Sequence, residues 1–275
     1  MFSLKSWLFT PATRADRFHR ASEGGASALI IDLEDAIAPN LKTEARTAAI
    51  SYLESSTRSP IPRALRINAP NTKMGLEDLH SLVGSTADPD YLILPKSDSP
   101  GAIAMIDSLL KEAGKSARII AMIETARGVT AAEQIATQTP RPAGLLFGAA
   151  DLAADLGSRL AWEPLLLARS RVVIAASLAG IAALDSPWFD LADNEGLMRE
   201  AQGASDLGFH GKTAIHPKQT PVINAAFTPT DEEIEKARRV LDVSQNGAGV
   251  VDGQMVDEAS ARRARLILAR AGLHG

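Results

Sequence analysis

The 275-residue chain contains no cysteine, which removes disulfide frameworks, thiolate zinc sites, iron–sulfur clusters and every cysteine nucleophile at once. It also lacks an excess of positive charge: 29 Lys plus Arg stand against 33 Asp plus Glu, a formal net charge of −4. That balance speaks against a nucleic-acid binder held by phosphate contacts and against a protein held to an anionic membrane surface. Long apolar runs are missing as well. The most apolar stretch, Val172 to Leu184, falls short of the roughly 18 residues a spanning helix needs. The first ten residues carry only a short apolar patch, Trp7 to Phe9, with no long apolar core and no small-residue cleavage site. No secretory signal is read there, and a cytoplasmic location is expected.

Several short motifs are absent too. Gly208 to Thr213 ends in Gly-Lys-Thr, but the first glycine of a phosphate loop would fall on Asp206. Gly247-Ala-Gly249 fails as a dinucleotide fingerprint because its third glycine would fall on Asp252. Serine-hydrolase, zincin and EF-hand patterns do not occur.

What is present is an alternation of short apolar runs and amphipathic stretches. The expected strands are 6–10, 28–33, 63–68, 90–94, 117–123, 144–148, 181–184 and 212–215. The expected helices are 14–23, 41–53, 76–83, 101–113, a stretch ending at Gln138, 164–179, 195–207 and 218–226, with 151–157 as an inserted turn. Eight such units in about 220 residues favour a closed (β/α)₈ barrel over a doubly wound open sheet. At about 150 residues per domain, the length alone fits one large domain or two small ones. The rhythm resolves this as a barrel over residues 1–228 and a C-terminal helical extension over 229–275. Within that extension Thr230 opens a helix, 250–256 forms a hairpin and 257–271 a last helix, packed on the barrel or reaching a neighbouring subunit.

In a parallel barrel the active site lies at the C-terminal strand ends. The polar residues closing the runs are Thr10, Asp32, Glu34, Asp35, Arg66, Asn68, Lys96, Glu124, Asp151, Asp185 and His216. An oxygen-rich set without cysteine suits a hard cation such as Mg²⁺. Glu124 and Asp151 close adjacent strands and can approach one ion together. Plainer readings compete: Asp151 as a helix cap, Arg66 as a structural ion pair, Leu33 to Asp35 as a solvated turn, and His216 as a hydrogen-bonded loop histidine. Lys42 to Arg46 and Glu235 to Arg239 read as exposed helix faces.

The strings Leu8 to Phe18, Ile31 to Ala36, Arg66 to Asn68, Leu94 to Lys96, Ile123 to Gly128, Leu146 to Gly148 with Asp151 to Gly157, Ile215 to Pro217 and Val251 to Asp257 together resemble the citrate lyase β-subunit-like proteins of the HpcH/HpaI aldolase superfamily. The resemblance runs from residue 6 to about residue 270. It implies a TIM barrel, a Mg²⁺ ion, and cleavage or formation of a carbon–carbon bond in an acyl thioester, usually of coenzyme A. By the same resemblance Glu124 and Asp151 are metal ligands, Arg66 binds substrate, and Glu34 and Asp35 lie near the metal waters. Asp257 matches a catalytic aspartate supplied by a neighbouring subunit. Arg14, Lys96 and the turn at Ile215 and His216 border the thioester. The chain departs from the usual pattern at Pro11 to Thr13 and at Ala149, where a serine is usual.

The resemblance thus implies a Mg²⁺-dependent carbon–carbon lyase of the citryl-, malyl- or citramalyl-CoA type, acting on a CoA or carrier-bound thioester as a homo-oligomer, a homotrimer or a hexamer. The alternatives are a pyruvate-type class II aldolase on free keto acids, the β subunit of a citrate lyase complex, and a metal-binding scaffold without activity. Pyruvate-type aldolases usually lack the Val251 to Asp257 extension. Splitting a β-hydroxyacyl thioester requires removing a hydroxyl proton and stabilising an enolate, tasks that suit an aspartate, an arginine and a divalent cation.

Overall fold

Eight short strands, β1 (Ser6–Pro11), β2 (Ala28–Asp32), β3 (Arg63–Arg66), β4 (Tyr91–Leu94), β5 (Arg118–Ile123), β6 (Pro142–Phe147), β7 (Ala182–Asp185) and β8 (Gly211–Ala214), pair in parallel in chain order. Ser6, Trp7 and Leu8 of β1 pair with Lys212, Thr213 and Ala214 of β8, which closes the expected (β/α)₈ barrel and rules out the open sheet. The computed structural model describes residues 2–55, 59–245 and 247–273.

The strands are buried on both faces, and the side-chain period of two sorts their residues into two layers. Trp7, Ala28, Ile30, Ala64, Ile93, Ile120, Met122, Leu146 and Leu184 fill the barrel interior. Leu8, Leu29, Ile31, Leu65, Ile119, Ile123, Leu145, Phe147 and Ala183 pack against the helices. Asp32, Arg66, Glu124 and Gly148 therefore continue inward-facing rows. Thr10 and Asp185 follow Leu8 and Ala183 on the helix-facing rows.

The helices are α1 (Arg20–Glu23), α2 (Lys42–Glu54), α3 (Lys73–Val83), α4 (Pro100–Glu112), α5 (Ala126–Thr137), α6 (Ala149–Leu156), α7 (Trp162–Ala179), α8 (Asn194–Leu207) and α9 (Gln219–Ala226). Two differ in kind from the sequence reading. The expected helix 14–23 is a 3-10 turn over Ala12–Arg17 followed by the single turn α1, because Arg14 leaves helical geometry with φ −119° and ψ 49°. The expected turn at 151–157 is the helix α6, closed by Gly157 in the left-handed conformation, which glycine adopts without a Cβ clash. Among the described residues no helix is long and apolar enough to cross a membrane.

Beyond the barrel come α10 (Asp231–Ser244), the antiparallel pair β9 (Gly249–Val251) and β10 (Gln254–Val256), and α11 (Glu258–Arg270). Thr230 and Glu233 form the capping box that starts α10. Asp252 and Gly253 both take positive φ, as a two-residue hairpin turn requires. Ala237, Val240, Val251, Val256, Ala264 and Leu268 give these elements a small core of their own.

Candidate active site

The site grows from the ends of β2 and β3. Asp32 and Arg66 are register partners, and Arg66 Nε and Nη2 each donate to one Asp32 oxygen at 2.7 Å. Arg66 Nη1 lies 2.8 Å from Glu34 Oε2 and 3.7 Å from Asp35 Oδ2, and the guanidinium stacks 4.6 Å from the Phe9 ring centroid. Burial works against the Arg66 charge, but Asp32, Glu34 and Asp35 more than offset it and hold the group firmly protonated. Asp32 also accepts the backbone N–H groups of Glu34 and Ala36. The Leu33 to Asp35 segment is therefore no solvated turn: Leu33 and Glu34 are buried, and only Asp35 is exposed.

Lys42 and Arg46, expected on an exposed helix face, are part of this support. Lys42 Nζ donates to the carbonyls of Leu33 and Glu34 and to Asn68 Oδ1, at 2.8, 2.6 and 2.7 Å. Asn68 is held in turn by Asp78, which pairs with the buried Arg46 at 2.6 Å. The amphipathic pattern of α2 hides this, because long cationic side chains reach inward from half-buried positions.

Glu124, at the end of β5, is buried. Its Oε1 accepts the Lys96 N–H at 2.8 Å, and its Oε2 is buried without a hydrogen-bond partner. Burial, reinforced by the negative charges of Glu34 and Asp151, pushes its carboxyl up to about 8. Lys96 takes the left-handed φ of 50°, uncommon for a residue with a side chain. Its Nζ lies 3.2 Å from Glu34, 3.3 Å from Asp151 and 3.8 Å from Glu124. Burial lowers the Lys96 pKa, but these three carboxylates, Glu124 foremost, raise it above the usual lysine range. Gly148 is required beside them, since a Cβ there would stand 2.4 Å from Glu124 Cβ and 2.5 Å from Oε2. Asp151, half-exposed, sits inside the first turn of α6, and the N-cap position belongs to Gly148, so Asp151 is not the helix cap.

The donor set fits a Mg²⁺ ion. Glu124 contributes a buried oxygen with no other partner, Gly148 leaves room beside it, and Asp151 faces the same lysine. Among the described residues no three His, Cys, Asp or Glu form a complete cage. Mg²⁺ does not need one, because it commonly keeps several waters and takes one or two carboxylates.

Glu34, Asp35, Arg66, Lys96, Glu124 and Asp151 thus come together. The remaining candidates make their contacts elsewhere in the chain. Arg14 forms an exposed pair with Asp16. The Ile215 and His216 N–H groups donate to Gln219 Oε1, and His216 Nδ1 accepts from Lys218, so His216 is a turn-forming histidine. Asp257 caps α11, accepting from the Ser260 N–H and hydroxyl at 2.9 Å, and those bonds hold its carboxyl below the usual range. Asp185, counted among the rim residues, belongs instead to a buried ion cluster behind the barrel wall, 2.6 Å from Lys212 and 3.0 Å from Arg169. Lys42 and Gly148 are not singled out as site residues from sequence, and Asp32 is collected only as a strand-end residue with no role assigned. The inward parity of β2 and β6 is the signal that finds Asp32 and Gly148.

The chain is similar to known proteins over most of its length. The protein CitE from Mycobacterium tuberculosis, solved in complex with magnesium, acetoacetate and coenzyme A, is 35% identical, with a TM-score of 0.84 over 99% of this chain and 100% of that one. RipC from Yersinia pestis is 47% identical, with a TM-score of 0.76 over 85% of this chain and 99% of that one. A (3S)-malyl-CoA thioesterase of Cereibacter sphaeroides is 33% identical over 97% of this chain and 94% of its own length. Residues 169–275 match the C–C bond lyases of the TIM-barrel fold. Residues 5–217 match the HpcH/HpaI aldolase/citrate lyase family, and the chain belongs to that family.

Proposed function

We propose that this chain is a Mg²⁺-dependent carbon–carbon lyase that cleaves, or forms, a β-hydroxyacyl thioester, giving a keto acid and a smaller acyl thioester. The observation that carries the reading is the buried, unpartnered Glu124 oxygen beside Asp151, with Arg66 fixed on the same barrel end. The relative CitE, solved in complex with magnesium, acetoacetate and coenzyme A, supports it.

Glu124 and Asp151 would hold the ion. When bound, Mg²⁺ supplies Lewis-acid polarisation and a template for the hydroxyl oxygen and its neighbouring carboxylate. Arg66 has five N–H donors: Asp32 takes two, Glu34 lies 2.8 Å from Nη1, and the donors left over would grip a substrate carboxylate or an enolate oxygen. In cleavage a base removes the hydroxyl proton, the carbon–carbon bond breaks, and its electron pair passes to the thioester fragment as an enolate that is then protonated. We assign the base to Asp257 of a neighbouring copy, because within one protomer its contacts stay in the arm. That assignment makes the enzyme a homo-oligomer, a trimer or hexamer. Arg14, Lys96, Ile215 and His216 border the thioester, bound as coenzyme A or on a carrier protein, in a cytoplasmic enzyme.

A panel of citryl, malyl, citramalyl and 3-hydroxy-3-methylglutaryl thioesters, assayed for keto-acid release with and without Mg²⁺, tests this. Mg²⁺-dependent release from at least one thioester is expected. Release only from free hydroxy acids would transfer the assignment to a pyruvate-type aldolase, and no release together with no thermal shift on adding the thioesters would leave a scaffold.

A further inference from the structure

A cavity of about 620 Å³ opens beside the metal-binding end of the barrel, between α6, the start of α7 and α8. It touches Ala149, next to the Gly148 that packs on Glu124, and Ser186, next to the end of β7. Two indole rings wall it. A Cβ at Gly203 would stand 3.2 Å from the Trp162 ring, and one at Gly196 would stand 2.5 Å from Trp188 Cζ2, so both rings lie against the α8 backbone. Leu160 and Phe189 extend this apolar wall, while Glu163, Asp190, Arg199 and Glu200 supply a charged part of the lining.

Three residues lining this cavity carry a buried polar atom without a hydrogen-bond partner: Arg169 Nη1, Ser186 Oγ and Trp188 Nε1. Arg169 and Ser186 are each only 1% exposed. The Arg169 guanidinium also lies 4.9 Å from the Phe147 ring centroid and 4.6 Å from that of Trp162; unpaired buried polar groups are expensive, and three of them on residues lining one cavity point to a missing partner. Each of the three can donate, so that partner is an acceptor oxygen. It need not be an anion, because Arg169 already faces Asp185 at 3.0 Å and Glu200 at 3.4 Å.

We propose that this cavity is a substituent pocket: it takes an apolar, ring-sized group carrying an oxygen acceptor, borne by the keto-acid fragment of the substrate. The inference rests on the lyase reading above and narrows its substrate class to β-hydroxyacyl thioesters with a bulky group on the hydroxyl-bearing carbon. Ser186 and Trp188 are then specificity-determining residues.

Calorimetric binding of pyruvate, phenylpyruvate and hydroxyphenylpyruvate to the full-length protein with Mg²⁺ tests it without turnover. Affinity is expected to rise by about tenfold or more from pyruvate to phenylpyruvate, and again to hydroxyphenylpyruvate, in line with the value of apolar and hydrogen-bonded contacts in a pocket. Ser186→Ala and, separately, Trp188→Phe should erase the preference of hydroxyphenylpyruvate over phenylpyruvate. Mg²⁺-dependent binding of pyruvate with no gain for the larger acids overturns the pocket and leaves the lyase reading intact. Equal, Mg²⁺-independent binding of phenylpropionate, which lacks the keto oxygen, overturns it in favour of a separate ligand site. Loss of Mg²⁺-dependent binding for every keto acid overturns both readings.

Discussion

Asp32 and Arg66 face each other in register on β2 and β3, and the guanidinium grips both carboxylate oxygens at 2.7 Å inside the barrel mouth. Asp32 balances the buried guanidinium charge and fixes its orientation, with Nη1 turned toward Glu34.

Removing one member of a buried ion pair is more costly than the pair is worth, because the other charge stays behind. Asp32→Ala is expected to destabilise the protein by about 3 kcal/mol, read as a shift of the urea midpoint. Arg66→Lys keeps the charge but not the two-pronged grip, and is expected to lower kcat/KM by about a hundredfold with a smaller change in stability. An Asp32→Ala midpoint matching the parent would show that the pair does not hold the site.

The Glu124 carboxyl, pushed up to about 8 chiefly by burial, is mostly protonated at neutral pH. A metal ligand must be ionised, so Mg²⁺ binding is expected to release a proton at pH 7 and to tighten about tenfold per pH unit from about pH 6 to 8, levelling above. Titration calorimetry in buffers of different ionisation enthalpy counts that proton. In the metal-free protein the sign is reversed for stability: the contribution of neutral Glu124 is complete below its ordinary 4.5 and is lost as pH rises through about 8. A pH-independent Mg²⁺ affinity across this range would remove the assignment.

Gly148→Ala places a methyl group 2.4 Å from Glu124 Cβ, a distance that real Cβ atoms do not tolerate, so Glu124 must move. Mg²⁺ affinity is expected to fall at least about tenfold, with the circular dichroism spectrum retained, since misplacing a ligand by a fraction of an ångström disrupts coordination. Wild-type affinity would mean that Glu124 is not held by this contact.

Asp257→Ala is expected to lower kcat with little change in KM, as loss of a general base does. Mixing Asp257→Ala chains with Glu124→Ala chains should recover part of the activity, because mixed oligomers contain sites with both groups intact. Absence of recovery, with mixed oligomers confirmed by native mass spectrometry, would place the base within one protomer.

Much of the fold was legible along the chain because it depends on local periodicity: apolar strand runs alternate with helical stretches eight times. The misreadings have separate causes. Asp185 closes a strand as Glu124 does, but the two differ in parity, so Asp185 turns outward into an ion cluster with Arg169 and Lys212 while Glu124 turns inward. Lys42 and Arg46 lie on an amphipathic helix that looks solvated, but the packing of α2 lets them brace Asn68 and Asp78. The 151–157 segment reads as a turn because it is short, but it folds as the helix that carries Asp151.

The sequence by itself determined the barrel, the oxygen-rich, cysteine-free chemistry of its rim and the identity of the carboxylates, since those follow from residue types and their spacing. Tertiary structure alone decided which of them share a site. Closure of the barrel brings Glu34, Glu124 and Asp151, separated by long stretches of chain, to 3.2, 3.8 and 3.3 Å from the one Lys96 Nζ. Their charges, burial and the raised Glu124 pKa are properties of that proximity, which no local pattern along the chain encodes.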